Sequence, residues 1–140
     1  MMPVDAVLDL ARWAPSGDNT QPWRFAVESS DTLTVFGHDT RAHCVYDLDG
    51  HPSQISVGAL LETIALASTR FGLATKIRRR EGSPDTRPVF DVRFQRQPGL
   101  AEDPLVAHIP TRRVHRRPLS MRRLSAREKS DLERAVGGDF

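Results

Sequence analysis

Residues 53–71 place the tightest constraint on any fold this chain can adopt. Val57, Leu60, Leu61, Ile64, Ala67 and Phe71 recur at helical spacing over a broad apolar face, Ile55, Ala59 and Glu62 follow another line, and Gly72 stands at the C-terminal cap position. Such a helix has to be covered by other elements. The flanking sequence offers two pairs of alternating segments for the purpose. Upstream, Trp23–Val27 and Thr32–Gly37 read as strands joined by a turn at Ser29, Ser30 and Asp31, with Leu33 and Val35 opposite Thr34 and Phe36. Downstream, 73–80 and 88–96 read as a second pair joined by a loop at 81–85, with Phe90, Val92 and Phe94 facing one way and Asp91, Arg93 and Gln95 the other.

The remaining segments complete the layer. Val4, Val7, Leu8 and Ala11 predict a helix over 3–13, which Pro15 prevents from continuing. A polar loop follows at 14–22, and a second at 39–52 carries the turn signal Asp47-Leu48-Asp49-Gly50. After Pro98 come a short helix at 103–108 and an arginine-rich segment at 111–118. The capping box Ser125-Ala126-Arg127-Glu128 then starts a helix expected to bury Leu132 and Val136 and to end at Gly137-Gly138. This order predicts an α+β domain, a mostly antiparallel sheet packed against helices. A chain of 140 residues suits one domain spanning 1–140.

Several function classes fall away. The single cysteine, Cys44, excludes an intrachain disulfide and cysteine-rich zinc frameworks. The spacing of His38, His43, Cys44 and His51 matches no zinc pattern, so no metal site is expected. No apolar run approaches the length of a membrane span, and Asp5, Asp9 and Arg12 interrupt any secretory apolar region, so a cytoplasmic protein is expected. Gly-x-Ser-x-Gly, the P-loop and the dinucleotide fingerprint are missing, and no side chain stands out as a catalytic nucleophile or acid–base pair.

Two stretches carry chemistry. The loop Pro15-Ser16-Gly17-Asp18-Asn19-Thr20-Gln21-Pro22-Trp23 offers backbone N–H groups, a hydroxyl and two amides, a set that suits the rim of a planar heterocycle. The same composition also serves a polar turn over a buried Trp23. Basic charge is local: six of the twelve residues from 112 to 123 are Arg, in a chain whose net charge is only +2. Such a cluster fits an anionic ligand group, an acidic partner or a nucleic-acid backbone. The modest net charge and only 9 aromatic residues weigh against nucleic acid.

The pattern from Ala11 to Phe25, A-x-x-A-P-S-G-x-N-x-Q-P-W-R-F, resembles a signature of the nitroreductase superfamily of FMN proteins. The resemblance implies that Pro15, Ser16 and Gly17 lie against the isoalloxazine edge, that Asn19 and Gln21 fix the loop, and that Trp23 packs beneath it. Asp39-x-Arg41, the turn at 47–50 and Ser56-Val57-Gly58-Ala59 look like the Acg-like branch, whose chains carry two degenerate halves in tandem; Ser56 and Gly58 would then approach the flavin. Thr111-Arg112-Arg113-Val114-His115-Arg116 resembles the superfamily's phosphate-binding signature, which implies Arg112 and Arg116 as phosphate ligands, with Val114 where a hydroxyl is usual. Because this signature follows the Pro-Ser loop, the resemblance implies a first-half core at 1–98, a second half opening at 99–140, and a chain truncated relative to the full fold. The implied activity is two-electron transfer from NAD(P)H through FMN to a small electron-poor acceptor, and the resemblance also implies a homodimer. Sequestration of FMN without turnover is the alternative, and a basic nucleic-acid-binding module a more distant one.

Overall fold

The computed structural model describes residues 3–135. Its order is α1 (Pro3–Ala11), a short 3-10 turn (Gly17–Asn19), β1 (Trp23–Val27), β2 (Thr32–Gly37), α2 (His51–Thr69), β3 (Leu73–Arg79), β4 (Val89–Arg96), a second 3-10 turn (Pro104–His108) and α3 (Ala126–Ala135). The strands form one sheet in the order β1-β2-β4-β3, and each neighbouring pair is antiparallel. Val27, Leu33, Val92 and Ile77 lie in one row across all four strands. Alternation puts such rows on a single face, where β2 and β4 contribute Leu33, Val35, Val92 and Phe94 to the core.

Helix α2 covers that face together with α1. Leu60, Ile64 and Ala67 meet Val4, Val7 and Ala11 of α1 in the same cluster, and Val106 and Ile109 of the later segment join them. Burial runs well beyond the apolar stripe, since Ser53, Ser56, Thr63 and Ser68 are also buried. Three of these hydroxyls donate to carbonyls one turn back, Ser56 to Pro52 at 2.8 Å, Thr63 to Ala59 at 2.7 Å and Ser68 to Ile64 at 2.6 Å, so the helix can be enclosed without orphaned polar atoms there.

The helices differ from the sequence expectation in where α1 ends, where α2 begins and what α3 buries. The first helix ends at Ala11, two residues short of 13, and Arg12 and Trp13 form a turn leading to Pro15. The central helix begins at His51 rather than 53, because Gly50 adopts a left-handed φ of 88° at the N-cap and Pro52 occupies the first turn, where its missing N–H costs nothing. The third concerns α3. It forms as the capping box predicts, with the Ser125 N–H donating to Glu128 at 2.8 Å and the Glu128 N–H donating to the Ser125 hydroxyl at 3.3 Å. Arg122 and then Ser125 hold the Glu128 carboxyl down to about 2. Yet α3 has no buried residue, and Leu132 is 56% exposed, so its expected burial is corrected. The cap and exposed ion pairs along the helix hold it, in place of packing. Val136, Gly137 and Gly138 lie outside the described residues. No described helix is long and apolar enough to cross a membrane.

Candidate functional site

The turn from α1 into β1 creates an unusual backbone. Asp18, Asn19 and Gln21 all take positive φ values, 45°, 56° and 47°. Asp and Asn enter this region readily, but for Gln it costs on the order of 1 kcal/mol or more. Hydrogen bonds hold the strained stretch. The Gln21 N–H donates to the Ser16 hydroxyl at 3.0 Å, its side-chain amide donates to the Arg12 carbonyl at 3.2 Å, and the Trp23 N–H donates back to the Gln21 carbonyl at 2.7 Å. Pro22 and Trp23 are buried behind the loop.

A second loop, 38–50, lies next to the first. Its centre is Asp47, a carboxylate 1% exposed. It accepts from the Thr40 N–H at 3.1 Å, the Thr40 hydroxyl at 2.7 Å and the Gly50 N–H at 2.9 Å, and from the Ser53 hydroxyl. Burial alone would push its pKa up. The bonds from Ser53, Thr40 and Gly50 outweigh it, and the pKa lies below the ordinary carboxylate value. Asp47 therefore ties the loop to the start of α2. The preceding residue, Tyr46, reaches Gly17 of the first loop: a Cβ at position 17 would lie 2.5 Å from the Tyr46 hydroxyl oxygen. The Tyr46 phenol is pushed up to about 12, first by its hydrogen bond with Cys44, then by desolvation and the Asp18 carboxylate.

Beyond the second 3-10 turn the chain comes back across the first loop. The Thr111 and Arg112 N–H groups donate to the His108 carbonyl at 3.1 and 2.8 Å, and the Arg112 guanidinium donates to the Trp13 carbonyl at 3.4 Å. A cavity of about 450 Å3 opens between the two segments, lined by Arg12, Trp13, Ala14, Pro15, Ser16, Asp18, Asn19, Arg112, Val114 and Arg116. That is within the roughly 300–1,000 Å3 of small-molecule sites. An adjoining recess of about 250 Å3 shares Trp13, Pro15 and Arg112 and is otherwise walled by Thr63, Leu66, Leu105, His108 and Ile109. Among the described residues, Arg112, Arg113, Arg116 and Arg117 form no ion pair with a carboxylate, whereas Arg122 pairs with Glu128 at 2.5 Å. The cavity thus has a hydroxyl and an amide at one side and two uncompensated guanidinium groups at the other.

Of the residues singled out in the sequence, Pro15, Ser16, Asn19, Arg112 and Arg116 line this cavity. Gly17 is turned toward Tyr46, and Gln21 braces the loop through Arg12. Ser56 and Gly58 are not among the lining residues: the Ser56 hydroxyl bonds to its own helix, and Gly58 faces open space.

No family model matches the chain. Two curated relatives, from Mycobacterium tuberculosis strains CDC 1551 and H37Rv, are provisionally named NAD(P)H nitroreductases. Each is 34% identical over 118 residues, which is 84% of this chain and 34% of the relative. Among solved structures, a nitroreductase family protein from Clostridium difficile 630 matches with a TM-score of 0.53 and 23% identity, over 87% of this chain and 86% of that one. Another, from Clostridium novyi NT, matches with a TM-score of 0.51 and 16% identity, over 66% and 72%. The chain is thus similar in sequence to part of these nitroreductases and shares the nitroreductase fold. It spans about a third of the length of the curated relatives it matches.

The α+β arrangement expected of a nitroreductase-like fold is the one observed. Sequence reasoning missed part of the cavity wall. Arg12, Trp13 and Asp18 line it as well. Trp13 had a signal, since a large apolar side chain at position 13 falls off the 4-7-8-11 stripe and remains 47% exposed. Tyr46, which lies against Gly17 and outside the cavity lining, had one too, as the sole tyrosine in a polar loop.

Proposed function

We propose that this nitroreductase-like chain binds FMN in the 450 Å3 cavity, with the phosphate on Arg112 and Arg116 and the ring against Pro15, Ser16 and Asn19. One observation carries the proposal: two motifs at opposite ends of the sequence line the same cavity. The donor set suits the group. Forked guanidinium donors match phosphate oxygens bidentately, and neither arginine is already committed to a carboxylate. Ser16 and Asn19 can exchange hydrogen bonds with a heterocycle edge that both donates and accepts. Val114 lines the wall between the arginines and adds no hydroxyl there.

When bound, FMN would supply the redox chemistry, taking hydride from NAD(P)H and passing two electrons to a small electron-poor acceptor such as a nitroaromatic or quinone. The residues of this chain bind and orient. Arg12, on the loop side of the cavity, brings positive charge to a site where reduction adds negative charge, and Trp13 lines the apolar recess beside it. No side chain is required as a nucleophile.

Self-association as a homodimer accompanies this reading. Val114, Leu119, Met121, Leu124 and Leu132 are all more than half exposed along the C-terminal segment, an apolar set suited to burial against a second copy. The reaction is placed in the cytoplasm, where NAD(P)H is available.

The test is reconstitution. Purified protein should retain FMN after desalting and should oxidise NADH or NADPH when a quinone is added. Colour without oxidation would support sequestration instead, and a colourless protein would reject the flavin reading.

A further inference from the structure

The close approach of two loops points to a residue outside the ligand signatures. Gly17 does not need to be glycine for its backbone angles; positive φ values fall instead on Asp18, Asn19 and Gln21. What a side chain at this position would displace is Tyr46, which occupies the space beside its Cα. A Cβ there would sit 2.5 Å from the Tyr46 hydroxyl oxygen, 3.0 Å from Cε2 and 3.1 Å from Cζ. The ring therefore lies directly on the backbone between Ser16 and Asn19, the two polar residues that line the cavity.

Tyr46 is itself anchored. The next residue is the buried carboxylate Asp47, whose bonds to Thr40, Gly50 and Ser53 fix the chain there to the first turn of α2. Strain in the first loop thus has two supports from outside it. One is the Gln21 amide on the Arg12 carbonyl at 3.2 Å, from the end of α1. The other is the Tyr46 ring, from the start of α2. Residues held in left-handed conformations persist only where their surroundings enforce them.

We propose that Tyr46 is a positioning residue for the ligand loop: its ring, seated on Gly17, holds 15–21 in the conformation that presents Ser16 and Asn19 to the cavity. The inference deepens the flavin reading and rests on it for the identity of the ligand. It contributes by raising the fraction of molecules whose loop is ready to bind.

The experiment compares Tyr46→Ala, Tyr46→Phe and Gly17→Ala with wild type by two readouts: amide hydrogen exchange in the ligand-free protein, and FMN titration. The loop amides to follow are Asn19, Thr20 and Gln21, which donate to the Ser16 carbonyl, the Gly17 carbonyl and the Ser16 hydroxyl at 3.1, 2.9 and 3.0 Å. In Tyr46→Ala these amides should exchange about tenfold faster and the Kd for FMN should rise about tenfold, as expected if the ready fraction falls to about a tenth. Exchange in β2 and β4 should stay unchanged, since Tyr46 lies 41% exposed and outside the core. Tyr46→Phe keeps the ring contacts and should stay within about twofold of wild type on both readouts. Gly17→Ala, which forces the ring and the loop apart, should resemble Tyr46→Ala. Unchanged loop exchange in Tyr46→Ala overturns the brace, and faster exchange with an unaltered Kd overturns its positioning role. A wild-type protein that takes up no FMN rejects the flavin reading, while the exchange comparison still decides whether Tyr46 holds the loop.

Discussion

The two walls of the cavity are held by opposite means. The loop at 14–22 is strained and pinned from both sides, with Pro22 and Trp23 buried beneath it. The arginine segment across from it is exposed at every position from 111 to 117, and its link to the loop is a single 3.4 Å hydrogen bond from Arg112 to the Trp13 carbonyl. Folding alone sets the first wall. Charge on a ligand would set the second, because guanidinium groups without carboxylate partners gain most from a phosphate that fixes them. On the flavin reading, such a site would have a pre-shaped end that selects by shape and a charged end that selects for phosphate.

The largest effect expected from breaking this asymmetry is at the charged end. Arg112→Ala with Arg116→Ala should lower FMN affinity by about 10²–10⁴-fold, since hydrogen bonds to charged groups are each worth roughly 1.5–3 kcal/mol. The thermal midpoint should stay where it is, because both side chains are exposed and outside the core. Retention of FMN by the double variant, followed by flavin absorbance after desalting, would defeat the phosphate assignment.

The complementary change is in the pinned half. Asp47→Asn leaves buried donors facing a weaker acceptor and should cost about 3 kcal/mol of stability at pH 7, read by urea unfolding. The pH dependence has a definite sign. The folded-state pKa of Asp47 is depressed, so its contribution is fully present above the ordinary carboxylate value and is lost as pH falls through the folded value. The difference between wild type and Asp47→Asn should therefore shrink in acid, and an unaltered difference at pH 2 would contradict the assignment. A smaller effect is expected at Asn19→Ala, which should weaken FMN binding by about 3–10-fold, the worth of a neutral hydrogen bond, and shift the flavin spectrum. The smallest is at Leu132→Ser. An exposed residue on α3 should change monomer stability by no more than about 0.5 kcal/mol. A larger loss that grows with protein concentration would locate Leu132 in a subunit interface.

What could be read from the sequence follows the same divide between local pattern and distant contact. Strands β1–β4 and helix α2 were legible because alternation and helical spacing are local properties, and tertiary packing did not override them. The Pro-Ser loop and the arginine segment were legible as donor chemistry, and they meet at one cavity. Asp47 was legible only as a turn residue. Its role as a buried acceptor depends on Thr40 and Ser53, which lie seven and six residues away and are brought together by the loop itself. A serine near a helix start, such as Ser56, can face either a site or its own backbone, and here its hydroxyl donates to the Pro52 carbonyl. Leu132 and its capping box carry the pattern of a packed helix, yet a pattern gives the face that could be buried and not the surface that would cover it.

Paired titrations with FMN and riboflavin, which differ by the phosphate alone, test most directly whether the loop and the arginines grip one flavin. Wild type should bind FMN about 100-fold more tightly than riboflavin, a preference worth about 2.7 kcal/mol, and Arg112→Ala with Arg116→Ala should bind both alike. Equal affinity in the wild type, or a preference that survives in the double variant, would contradict it.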